Sequence, residues 1–463
     1  MTTPSTALGA TAEQLSARLR GALLRPGDSD YDNARALFNG MIDRRPALIA
    51  RCTGAADVIS CVQVARGTGV PVSVKAGGHG VAGKALCDDG LVIDLSAMNA
   101  VTVDPDARVA HVQAGAELGD LDHEAQAFGL ATPAGIHSRT GVAGLALGGG
   151  TGHLSRAFGT TADNLVAADV VTADGRLIHA SEQSHPELFW ALRGGGGNFG
   201  VVTRFAFRLH PLGPNVAAAQ VYHPFEDAER VLRQYRDFMR SAPDEIGCGC
   251  LVLRVPPADP FPAARHGQLT VVLLATYAGD PEAGQRALQP LFEGGEPIFA
   301  DLSTIPFTAL QSAFDEGFPD GARYYWKAHY LRELPDDAIA AFIDKVATMP
   351  GDYSACGFET MGGAVNRVAS DATAFPHRDA AFNVGIFGGW SRPDEDATGI
   401  AWARDLHAAL TPYATGGVYV NYLQGDDEDA TTGAYGDNFE RLRRVKQTYD
   451  PEGLFDAHEG LGR

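Results

Sequence analysis

Basic side chains are scarce in this sequence: 37 Lys and Arg stand against 57 Asp and Glu over 463 residues, a formal charge of -20. A field of that sign repels phosphate backbones and anionic lipids, so neither a nucleic acid nor a membrane surface is expected as a partner. Cysteine is sparse too, six in the whole chain without regular spacing, which does not read as a disulfide framework. No window holds the ~20 apolar residues that a membrane span needs. The stretch from Met1 to Leu15 carries neither the basic start nor the apolar run of an export signal. The expectation is a cytoplasmic protein, a monomer or homodimer. Internal repeats and low-complexity segments are also missing. What remains is ordinary globular usage, 45% apolar and 20% charged, in a chain long enough for about three domains.

Glycine is the exception, with 55 residues unevenly placed. Three tight clusters fall in the first half: Gly77-Gly78 with Gly80 and Gly83, Gly141 through Gly152, and Gly194 through Gly200. Such clusters let backbone approach a ligand closely, and their successive N–H groups can bind phosphate oxygens without a charged side chain. Three in succession suit a long ligand with a pyrophosphate in its middle.

Between the clusters, strands are predicted at Val70 to Lys75, Leu91 to Leu95, Ala110 to Gln113, Val166 to Thr172 and Val201 to Leu209. Helical periodicity runs from Ala55 to Thr68 and from Leu118 to Phe128. Residues 1–210 therefore read as one mixed α and β domain. Beyond Pro211 longer strands are predicted at Gly247 to Val255, Gln268 to Tyr277, Arg323 to Leu331 and Phe382 to Phe387. Helices at Ala228 to Met239, Asp336 to Ala347 and Asp396 to Leu410 alternate with them. Residues 211–412 read as a second domain on a largely antiparallel sheet flanked by helices, making the whole α+β. Residues 413–463 form a C-terminal segment with a basic amphipathic helix from Tyr435 to Tyr449.

Familiar motifs fail on context. Gly195 to Gly200 satisfies GxGxxG by letter, but PELFWALR before it is helical in pattern and VVTRFAFRL after it alternates like a strand. The dinucleotide fingerprint needs the reverse order. The Gly144 to Gly149 run is followed by Gly150 and Thr151, not by the Lys of a P-loop, and His123-Glu124 lacks the second histidine of HExxH. Cys248 and Cys250 share one face of a strand with no other ligand pair nearby, and read as core residues. No metal site is expected.

At Lys75-Ala76-Gly77-Gly78-His79-Gly80 the chain resembles the berberine-bridge-enzyme-like branch of the vanillyl-alcohol-oxidase flavoproteins. The resemblance continues through Leu91 to Asn99, Gly144 to Gly152, Asp163-Asn164, Pro186 to Ala191 and Gly197 to Gly200, and resumes at Tyr419 to Tyr422 and Val445 to Pro451. It implies a PCMH-type FAD-binding fold with a central substrate domain. It implies FAD bound through Ala76, Gly77, Gly78, His79 and Gly80 in the first cluster. In the second cluster it implies Gly141, Gly144, Gly149, Gly150 and Gly152, and beyond it Asp163, Asn164, Gly200, Val201, Val202 and Asn421. In the resembling proteins the histidine of the GGH motif bonds to the 8α-methyl of the flavin, which here makes His79 the attachment point. Many relatives add a second bond through a cysteine, and His137 stands at that position, so a single attachment is expected. Their oxygen gate falls on Thr140, whose small polar side chain favours O2 as acceptor. After Tyr449-Asp450-Pro451 those proteins carry an asparagine-rich end, where this chain reads Leu454-Phe455-Asp456-Ala457-His458-Glu459.

Oxidising a carbon that bears OH or NH needs a group to accept the proton. Strand alternation gives three candidate faces: Tyr419 with Asn421 and Tyr422 opposite, Tyr325 with Lys327 and His329, and Glu359 with Met361. Glu359 is the first candidate for the base, Tyr419 the second, and Asn421 a hydrogen-bond donor. The expected activity is an FAD-dependent oxidase of a small organic molecule, releasing H2O2. A dehydrogenase with another electron acceptor and a flavin-bearing drug-binding protein are the alternatives. Few basic groups in the central domain disfavour a polyanionic substrate; sugars, alkaloid amines, benzylic alcohols and polyketide intermediates all stay open.

Overall fold

In a computed structural model the chain is described at residues 9, 12–426, 430–455 and 461. Three sheets organise it. The first is four-stranded, in the order Leu23–Leu24, Leu48–Arg51, Leu91–Asp94, Val72–Lys75, the last three running parallel. Its central strand Leu91–Asp94 is buried throughout, as a strand covered on both faces must be. The helix Ala55–Thr68 covers it and ends at Gly69, whose φ of +70 closes the last turn in the left-handed region. The second sheet is five-stranded and antiparallel, ordered Val101–Asp104, Val109–Gln113, Val201–Arg208, Leu165–Val171, Leu177–Ser181.

The third sheet is the largest. Seven antiparallel strands run Phe299–Pro306, Asn215–Pro224, Leu269–Tyr277, Ile246–Arg254, Ala355–Thr360, Phe382–Trp390, Arg323–Leu331. One face packs on the helices Ala228–Ser241, Asp336–Val346 and Asp396–Leu410 through Cys250, Leu273, Phe358, Ile386 and their neighbours. Cys248 and Cys250 both lie in this helix-side core. Alternation turns the intervening residues to the opposite face.

The C-terminal segment returns to the first core, where Val420, Tyr435, Leu442, Val445 and Phe455 pack. Its helix is shorter than the periodicity predicts. Gly436 takes a φ of +48 inside a 3-10 turn, and the α-helix starts at Phe439 and ends at Tyr449. Lys446, buried, ties the tail to the third glycine cluster: its Nζ donates to the Asn198 carbonyl at 2.8 Å, to Asp450 at 2.6 Å and to the Phe455 carbonyl. No helix among the described residues is long and apolar enough to cross a membrane.

Candidate active site

A cavity of about 420 Å³ opens between the glycine clusters and the free face of the seven-stranded sheet. All three clusters reach it: Ala76 to Gly80, then Thr140, Gly141, Gly144 and Gly152, then Gly196, Gly197 and Gly200 with Val201 and Val202. The first two clusters touch backbone to backbone. A β-carbon on Gly77 would sit 2.5 Å from Gly141 Cα, and one on Gly141 would sit 2.6 Å from Gly77 N. Only glycine at both positions permits that approach, so the bare backbone lining this end of the cavity follows from the pair. Gly141→Ala is expected to force the two segments apart. It should lower both Tm and the flavin recovered per chain, which a thermal melt and the ratio of visible to ultraviolet absorbance will read.

His79 stands at this end. Its ring stacks on Phe38 at 3.9 Å between centroids, and Phe38 stacks in turn on Tyr324 at 4.4 Å. His79 Nε2 is enclosed and has no hydrogen-bond partner in the protein. Burial, reinforced by the neighbouring His137, pushes its pKa down to about 3, so the imidazole is neutral. An unpaired, neutral ring nitrogen beside bare glycine backbone fits a group that bonds to it. His137 lies 5.0 Å from the His79 ring, its Nε2 3.3 Å from the Phe318 carbonyl and its Nδ1 3.6 Å from Asp315. Asp315 also accepts from the Ser138 N–H at 2.9 Å, so the loop carrying Thr140 is anchored to the segment that precedes the strand Arg323–Leu331.

Glu359 occupies the facing wall, on the strand Ala355–Thr360. Asn383 Nδ2 donates to one of its oxygens at 2.8 Å and the Tyr422 hydroxyl to the other at 3.2 Å. Burial raises its pKa above the ordinary carboxylate value, against the opposing pull of those two donors. Met361, just beyond the strand, lines the cavity as well.

The Tyr419 to Tyr422 segment is not the strand that alternation suggested. Val420–Tyr422 is a 3-10 turn, closed by the Tyr422 N–H on the Tyr419 carbonyl at 2.9 Å. Residues three apart eclipse in such a turn, which brings Tyr422 to the same side as Tyr419, ring centroids 4.8 Å apart. Tyr422 thereby joins the site. Tyr419 itself accepts from the Gly150 N–H at 3.0 Å and from Asn421 Nδ2 at 2.9 Å, and burial pushes its pKa up to about 12. Asn421, expected as a donor toward substrate, has its amide nitrogen engaged by Tyr419 and by the Leu145 carbonyl at 3.1 Å.

Four residues expected at the cofactor are not among those lining the cavity. Asp163 is turned instead to the buried guanidinium of Arg378, at 2.7 Å, a cation that needs a partner once out of water. Asn164 Nδ2 donates to the Phe158 and Thr160 carbonyls, and its Oδ1 accepts from His210 Nε2 at 2.7 Å. Gly149 and Gly150 act one step back, Gly150 through its N–H on Tyr419. The face bearing Tyr325, Lys327 and His329 also points away: the Tyr325 hydroxyl meets Asp426, and His329 stacks on His407 at 3.8 Å. Its opposite face supplies Trp326 to the cavity. Phe38, Trp326 and Asn383 had no signal in the sequence, because none belongs to a motif and each arrives from a distant segment. So too Arg156, a cavity residue whose guanidinium donates to the Ile246, Met361 and Ala242 carbonyls.

Comparison with known proteins agrees with this geometry. The FAD binding domain family matches residues 46–181, and the berberine and berberine-like family matches residues 418–462. The chain is 32% identical over 451 residues to the FAD-linked oxidoreductase YgaK of Bacillus subtilis, covering 96% of this chain and 97% of that one. It is 30% identical to (R)-6-hydroxynicotine oxidase of Paenarthrobacter nicotinovorans, covering 94% and 95%. The crystal structure of 6-hydroxy-D-nicotine oxidase from Arthrobacter nicotinovorans superposes with a TM-score of 0.86 at 28% identity, over 96% of this chain and 98% of that chain. Glycine cradles, an unpartnered His79 and full-length similarity converge, and the chain belongs to the berberine-bridge-enzyme-like family of FAD-linked oxidoreductases with the PCMH-type FAD-binding fold.

Proposed function

We propose that the protein is an oxidase of a small organic molecule. It would remove hydrogen from a carbon bearing OH or NH, use O2 as acceptor, and hold FAD covalently through His79 alone. The observation that carries this reading is Glu359, a carboxylate fixed by two donors and opening on the same cavity as the three glycine clusters. Bound FAD supplies the two-electron acceptor, so the substrate loses two hydrogens and two electrons while O2 becomes H2O2. The chain's own part is to hold, orient and deprotonate. Asn383 and Tyr422 each take one lone pair of a Glu359 oxygen, which fixes the carboxylate and leaves further lone pairs to accept the substrate proton. Tyr419 is poorly suited to that task, since its hydroxyl already accepts twice and its pKa is raised. Its role in this reading is to set the turn that presents Tyr422.

The test is peroxide formation in air and flavin bleaching under nitrogen, with dye reduction alone pointing to a dehydrogenase. Thr140 borders the cavity, and the resemblance gives it the part of the oxygen gate. Reduction of O2 builds negative charge, which a hydroxyl stabilises better than an aliphatic group. Thr140→Leu is expected to slow reoxidation on the order of tenfold, and to leave reduction by substrate unchanged. Stopped-flow traces of the two half-reactions separate these; equal oxidative rates would reduce Thr140 to a packing role.

A further inference from the structure

The substrate wall is built from rings and bare backbone. On the strand Ile246–Arg254 alternation turns Gly247, Gly249, Leu251 and Leu253 to the cavity, and Cys248 borders it at one edge. Beside them Phe318, Trp326, Phe387 and Tyr422 form a patch of edge-on rings lining the cavity. Trp326 meets Phe387 at 5.0 Å and 73°, and Tyr422 at 5.6 Å and 88°. Phe387 meets Tyr422 at 5.1 Å and 89°, and Phe318 at 6.0 Å and 84°. Rings locked edge to face cannot rotate independently, so the patch is preformed and favours flat, apolar guests.

Polar capacity on this wall is small: besides Glu359, the unpaired atoms are Trp326 Nε1 and His153 Nε2. The Thr360 hydroxyl is spent on the Cys248 carbonyl at 2.6 Å, and the Arg156 guanidinium on backbone carbonyls. Glu359 is the carboxylate that this sheet brings to the cavity. A sugar would bury several hydroxyls here with few partners, each costing about 1–3 kcal/mol. An ammonium needs three acceptors for its three hydrogens, whereas a hydroxyl needs one. An anion finds its one nearby guanidinium already engaged, within a chain of net charge -20.

Resting on the oxidase reading above, we infer that the substrate is a neutral aromatic alcohol. It carries its hydroxyl on the carbon to be oxidised, the ring packed against the Phe318–Trp326–Phe387–Tyr422 patch and the O–H donated to Glu359. The alcohol loses its C–H hydrogen with the bonding pair to the enzyme's flavin and its O–H proton to Glu359, and leaves as the carbonyl compound.

The flavin-loaded protein, mixed under nitrogen with 4-methoxybenzyl alcohol, 2-naphthalenemethanol, benzylamine or xylobiose, tests this. Bleaching of the flavin reads turnover, and perturbation of its spectrum or quenching of tryptophan fluorescence reads binding. The two alcohols should bleach at lower concentration than the amine or the disaccharide, and Trp326→Ala should raise their KM about tenfold. Bleaching by xylobiose or benzylamine in preference to the alcohols overturns this inference and leaves the oxidase reading standing. Binding of the alcohols without bleaching by any probe sinks the oxidase reading and leaves the ring recognition in place. Absence of both binding and bleaching with the alcohols also overturns the inference.

Discussion

Acid or detergent should strip all flavin from a His79→Ala variant, or the variant should never load it, while the wild-type chain stays yellow through denaturation. The expectation rests on the state of the ring. His79 is held by Phe38 at 3.9 Å, its Nε2 has no partner, and burial keeps it neutral far below its ordinary pKa. A buried ring nitrogen left without a hydrogen bond is a cost that a native structure rarely carries without purpose. Peptide mapping should find flavin on the fragment containing His79 alone. The obvious competitors are poorly equipped. Cys248 borders the cavity, but burial pushes its thiol up to about 12, which suppresses the thiolate that would react. His137 Nε2 is taken by the Phe318 carbonyl, and its Nδ1, also without a hydrogen-bond partner, lies 3.6 Å from the Asp315 carboxylate, so the mapping must exclude an adduct there. Complete release of flavin from denatured wild-type protein would refute covalent attachment, and an adduct on His137 or a cysteine would refute its being single.

Glu359→Gln should slow flavin reduction by roughly 10²–10⁴-fold, the usual worth of a positioned base, with reoxidation by O2 unaffected. The amide keeps the shape and can still accept from Asn383, so the fold should survive, as a thermal melt will show. The pH dependence has a definite sign. A base works when ionised, and burial raises the Glu359 pKa above the carboxylate value of 4.5. The wild-type reductive rate should therefore fall as pH drops through that raised value, in a range where an exposed glutamate would still be ionised. In the glutamine variant this acid limb should vanish. A rate and a profile unchanged by the substitution would place the base elsewhere. The groups facing Glu359 are Asn383 and the Tyr422 hydroxyl, with Tyr330 and Tyr419 close enough to feel its charge, and none of these phenols ionises in that range.

Elements with strong local signals were legible in the sequence. The helices Ala55–Thr68 and Asp396–Leu410 and the strand Arg323–Leu331 match their predicted limits. Each has an unambiguous period and a clear stop. Three strands of the large sheet had no limits assigned from the sequence, although alternation already put Glu359 on a strand face. Asn215–Pro224 is rich in alanine, which has little strand preference. Phe299–Pro306 is an edge strand with most of its residues partly exposed, and Ala355–Thr360 has only six residues. Backbone pairing with neighbours, invisible in the local sequence, holds all three.

The same division runs through the site. The sequence by itself determined that three stretches of bare backbone exist, that His79 sits in one of them, and that no competing motif has the right surroundings, because these depend on residue type and order within a few positions. It also determined that Tyr325 and Trp326 face opposite sides of their strand, since the side-chain period is two. Which of those sides meets the cavity was decided only by the helix Asp396–Leu410 packing on the other. That Phe38 stacks on His79, that Asp163 is drawn to Arg378, and that Tyr422 reaches Glu359 through a 3-10 turn were likewise decided in three dimensions. Each joins residues dozens to hundreds of positions apart, and packing and charge pairing select such contacts only once the sheets have assembled.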